Sequence, residues 1–112
     1  PRVEREEFLN VGVILYSQSL KFLRIQYHIN HDKLLHFADH CDIEEVEEYL
    51  KAFEEICQGS VAGGAIGRLD MASRFRWLTA TRSTIVQSSK VHSGFCLDPE
   101  EDLKKLFNQF VL

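Results

Sequence analysis

The chain has 112 residues, 45% of them hydrophobic and 27% charged, with six glycines and two prolines. That make-up fits one ordinary globular domain and excludes a disordered tail, a collagen-like rod and a repeat array. Thirteen basic residues against seventeen acidic leave a formal charge of −4, so the surface as a whole is no polyphosphate-binding field, and a nucleic-acid role has to rest on a local patch. Cys41, Cys57 and Cys96 form no C-x-x-C pair and read as reduced thiols of a cytoplasmic protein. No apolar run approaches the roughly 20 residues of a membrane span, and the charged residues 1–7 are unlike a signal peptide.

Residues 9–16, LNVGVILY, are rich in Val, Ile and aromatic side chains and read as a strand buried on both faces, with Gly12 marking a bulge or a close backbone approach. Ser17, Gln18 and Ser19 make a polar turn. Residues 20–27, LKFLRIQY, then complete a β-hairpin. A short helix is expected from His31 to about Ala38, with Leu34, Leu35 and Phe37 inward. Asp42 stands three residues before Glu45 in the spacing of a capping box, and Ile43, Val46, Leu50, Phe53 and Cys57 recur at helical intervals up to Gly59. The outer face of this helix carries six glutamates and one lysine. Residues 59–67, GSVAGGAIG, read as a flexible connection, because they lack the preceding strand and Lys-Ser/Thr pair of a phosphate-binding loop.

Asp70 is placed to cap a helix reaching about Thr79, with Met71, Phe75 and Leu78 on one side. Residues 84–88 read as a third strand around Ile85 and Val86. Asp98, Pro99, Glu100 and Glu101 are, in order, an N-cap, a first-turn proline and an acidic first turn, opening a helix with Leu103, Leu106, Phe107, Phe110 and Val111 as its apolar stripe. The expected class is α+β: a small antiparallel sheet, hairpin plus third strand, packed against three or four helices.

Five stretches carry a resemblance: Glu7-Phe8-Leu9-Asn10-Val11-Gly12-Val13, Arg74-Phe75-Arg76-Trp77-Leu78, Arg82-Ser83-Thr84-Ile85-Val86-Gln87, His92-Ser93-Gly94 and Asp98-Pro99. In that order and spacing the chain resembles the bacterial family catalogued as domain of unknown function 3037, except that Thr81 stands where the family usually has a proline. The resemblance brings no activity, cofactor or catalytic residue. It implies a single domain, 1–112, lacking an N-terminal strand upstream of residue 1. It also implies a neighbour, since genes for similar proteins often lie beside genes for HipA-like kinases. A sheet without its outer strand would expose unpaired backbone groups, so the hairpin edge is an expected contact for a partner or a second copy.

The densest unusual chemistry is Arg68, Arg74, Arg76, Arg82 and Lys90, broken only by Asp70 and interleaved with Phe75 and Trp77. One reading is an anion or partner site in which Arg74, Arg76 and Arg82 act with Ser83, Thr84 and His92. Another has Arg74 and Arg82 paired with carboxylates such as Glu7. Arg74 and Arg76 lie about 200 degrees apart on a helix, so both cannot face one ligand. Glu7, Asn10 and Asp98 are read as structural polar residues, Asp98 as a cap; gathered with Glu4, Glu6 and His92 they would instead resemble parts of a metal-dependent nuclease.

His28, His31, His36 and His40 beside Cys41 supply two helix-spaced ligands, short of a closed zinc site. Ser83 or Cys96 with His92 are the tempting nucleophile pairs, and neither sits in a recognised motif. No catalytic residue, metal or cofactor is assigned. The preferred reading is a non-enzymatic accessory or regulatory protein that docks to another protein, a HipA-like kinase being the candidate, through residues 74–94 and the hairpin edge; self-association through that edge is a further expectation. The alternative is an anion or single-strand nucleic-acid module that stacks bases on Phe75 and Trp77. Both readings expect the arginine-bearing helix and the strand after it to gather against the hairpin in one polar locality.

Overall fold

The computed structural model describes residues 10–37, 43–80, 86, 88–89 and 91–112, the side chains of 35–37 excepted. Strand β1 (Gly12–Ser17) pairs antiparallel with β2 (Phe22–Tyr27) in an unbroken register from Gly12↔Tyr27 to Ser17↔Phe22. The four-residue connection is closed by Lys21 N–H donating to Gln18 O at 3.2 Å and Leu20 N–H donating to Ser17 Oγ at 3.3 Å. Lys21 takes a left-handed φ of 52° to bring the chain back, the conformation that ends many longer hairpin loops. Gly12 marks a close approach and no bulge: a Cβ there would stand 2.9 Å from Tyr27 Cβ. Among the described residues the sheet has these two strands. Of the expected third strand, residues 84, 85 and 87 lie outside the described residues; Val86 is half-buried against the core.

Among the described residues five α-helices accompany the hairpin: α1 (His31–Phe37), α2 (Ile43–Gln58), α3 (Gly64–Gly67), α4 (Met71–Thr79) and α5 (Pro99–Phe110). The fold is therefore α+β, and α2 forms its centre. Val46, Leu50, Phe53, Ile56 and Cys57 are buried along one face of α2, where Leu23 and Ile25 of β2, Leu34 of α1 and Leu78 of α4 join them. Burying an aliphatic or aromatic side chain of this size contributes about 1.5–3 kcal/mol, and Leu78, at 0% exposure, lies deepest. The expected N-cap of α2, Asp42, lies outside the described residues. Its end matches expectation, since Gly59 takes a φ of +67° immediately after the last turn, the left-handed stop glycine tolerates best.

Side chains on paired strands alternate between the two faces, which divides the helices into two layers. Ile14 and Tyr16 pair with Ile25 and Leu23 and pack against the α2 core. Arg24 projects from the opposite face and reaches Glu100 in the first turn of α5, Nη1 to Oε1 3.3 Å. Helix α5 packs against both strands, so the hairpin is held between α2 with α4 on one side and α5 on the other. That arrangement explains why every residue of β1 is half-buried.

Two expectations are corrected. Residues 59–67 are not a free connection: Val61–Gly63 form a 3-10 turn that runs into α3. Gly63 and Gly67 serve close packing, since a Cβ on them would meet Glu55 O at 3.2 Å and Ser60 O at 2.7 Å, whereas Gly64 has open space and serves a φ of +66°. Asp70 occupies the N-cap position of α4 without a well-formed cap hydrogen bond, and the Ser73 hydroxyl and N–H nonetheless hold its carboxyl below the ordinary range. No helix among the described residues is long and apolar enough to cross a membrane.

Candidate functional site

Arg74 is the one charged residue buried among the described residues, with 8% exposure. Helix α4 carries it inward to the C-terminal end of α2, where its Nη1 donates to Ile56 O at 2.9 Å and Cys57 O at 2.8 Å, while Nε donates to Leu69 O at 3.0 Å. The last carbonyls of a helix have no partner within it and carry the negative end of its dipole. Helix α2 has no basic residue in its last turn, so Arg74 supplies from another helix the cation that its own sequence lacks. Gly59 makes room: a Cβ there would lie 3.0 Å from Arg74 Nη1. Among the described residues the partners of Arg74 are main-chain carbonyls; Glu7, the carboxylate named for it in one of the two readings, lies outside the described residues.

The remaining predicted positions scatter. Arg76 points outward and donates from Nη2 to Ser73 Oγ at 3.0 Å, as the angle between it and Arg74 requires. Phe75 stacks on Tyr16 with ring centroids 4.8 Å apart, and Trp77 meets Phe53 edge-on at 6.2 Å while staying 36% exposed. Asp98 Oδ1 accepts from Glu101 N–H at 3.2 Å, the cap expected of it. Asn10 Nδ2 donates to Phe110 O at 3.2 Å. Asp98 and Asn10 thus sit at opposite ends of α5, about 18 Å apart along a twelve-residue helix, and Arg74 lies on the other side of the hairpin. The described residues therefore do not form the single polar locality anticipated. Glu7, Arg82, Ser83 and Thr84, with Glu4 and Glu6, lie outside the described residues; His92 is exposed.

Of two open clefts among the described residues, neither brings these positions together, Asn10 alone lining one. The larger, about 410 Å³, lies between β2, the start of α1 and the acidic face of α2. There Tyr27 Oη donates to Glu54 Oε1 at 3.3 Å, and His31 Nε2 stands 3.8 Å from Glu47 Oε1. Burial, followed by the charge of Glu54, raises the Tyr27 hydroxyl above its ordinary range. The smaller, about 270 Å³, has Asn10, His28 and Lys33 on its walls. No group of three or more His, Cys, Asp or Glu among the described residues could hold a metal ion; His40 and Cys41, with the side chain of His36, lie outside them. Burial pushes the Cys57 thiol up to about 12, against a smaller opposing pull from Arg74. Cys96 is raised as well, by desolvation first and then by Asp102. A thiol nucleophile needs the opposite shift.

What the sequence reasoning missed lies between the core and α5. Residues 91–97, VHSGFCL, have neither helical nor strand pairing, yet Phe95 and Leu97 are 105% and 94% exposed and Val91 is half exposed. Large apolar side chains standing fully in water within three residues of each other mark an interaction segment more often than a scattered surface residue does. The alternation Val91, Ser93, Phe95, Leu97 was the available signal; it is the period of a strand.

Compared with protein families, residues 1–111 match the one described as "Protein of unknown function (DUF3037)". The chain belongs to the DUF3037 family. No curated protein and no solved structure matches it. For this DUF3037 protein, then, no relative supplies an active-site pattern, and function has to be argued from the two features above: an arginine committed to the fold, and an apolar segment left outside it.

Proposed function

We propose that this DUF3037 protein is a small accessory or regulatory protein, without an enzymatic role of its own, that works by docking to another protein. The observation that carries the reading is the exposure of Phe95 and Leu97. Exposed apolar surface is costly in water and is retained where a partner covers it. The contact region is narrower than residues 74–94 and lies further along the chain, because Arg74 and Phe75 are engaged inside the fold. It centres on residues 91–97, with the hairpin edge as a second region. An anion or nucleic-acid site on the same residues finds less support, having neither the Arg74 guanidinium nor the Phe75 face to offer.

A HipA-like kinase is the partner to try first, on the gene neighbourhood of similar proteins. Co-expression and co-purification of the two full chains should give a complex at micromolar concentration, and Phe95→Ser with Leu97→Ser should abolish it without moving the unfolding midpoint. No association at micromolar concentration would remove the kinase as partner. Association untouched by the double substitution would remove residues 91–97 as the contact.

A further inference from the structure

We draw no further inference here: the strongest candidate, the cleft between β2, the start of α1 and the acidic face of α2 with Tyr27, His31, Glu47 and Glu48 on its walls, is a cluster of carboxylates whose neighbours Tyr27 and His31 already pair within the chain, and nothing in the structure shows what ligand or partner would fill it.

Discussion

The junction of α4 with α2 and the stretch before α5 invert the usual assignment of charge and oil. At the junction a guanidinium is buried beside packed Ile56, Cys57 and Leu78. Before α5 the apolar side chains stand in water and the backbone has no regular partner. Both stretches fall within the residues that match the family, yet one is explained by the fold alone and the other is not. Residue type by itself therefore does not separate structure from function here. The partner each side chain finds does.

Removing Arg74 should have the largest effect. Arg74→Leu leaves the carbonyls of Ile56, Cys57 and Leu69 without their donor in a buried place, and a loss of about 3–5 kcal/mol is expected from urea denaturation. Arg74→Lys should recover only part, since an ammonium cannot fork between carbonyls as a guanidinium does. A stable Arg74→Leu protein would break the comparison by returning Arg74 to the surface.

Alkali probes the same junction. The Cys57 thiol ionises near 9 when unfolded but only at about 12 in the fold, so its contribution is complete below pH 9 and is lost as pH rises from 9 to 12. The fall should reach about 1 kcal/mol by pH 10 and as much as about 4 kcal/mol at the upper limit. Urea melts at pH 8, 9 and 10 measure it, and Cys57→Ala should flatten that part of the curve.

At the other region the effects on stability shrink. Asp98→Ala removes the cap of α5 and should cost about 1 kcal/mol in the same assay. Phe95→Ser and Leu97→Ser should each stay within about 0.5 kcal/mol of the parent, because they bury nothing in the single chain. A larger loss would mean that residues 91–97 pack inside and would erase the contrast.

How much could be read beforehand follows the range of the forces involved. The hairpin, the Gly59 stop and the Asp98-Pro99 start depend on a few adjacent residues; the stop and the start stand where the sequence sets them, and the hairpin forms with its turn at residues 18–21 where 17–19 was expected. The α1 cap was equally local but went unread: Asn30 Oδ1 accepts from Lys33 N–H at 3.0 Å. The role of Arg74 could not be read, because its carbonyl partners lie up to eighteen positions away and main-chain acceptors leave no mark in a sequence. The clue was indirect, a helix with Glu54 and Glu55 near its end and no cation in its last turn. Residues 59–67 misled for a related reason: glycine suits a loose loop and a tight contact alike. The third strand and the carboxylates of residues 4–7 fall outside the described residues.

The two polar ties of α5 have a mechanical consequence. Arg24 holds the helix to the hairpin at Glu100 and Asn10 holds it at Phe110, so helix and hairpin should move as a single splinted lever with residues 91–97 as its handle. Force applied by a bound partner at Leu97 would travel along the helix to Asn10, two residues before β1. Amide exchange at Val11 and Gly12 would register the event without touching it.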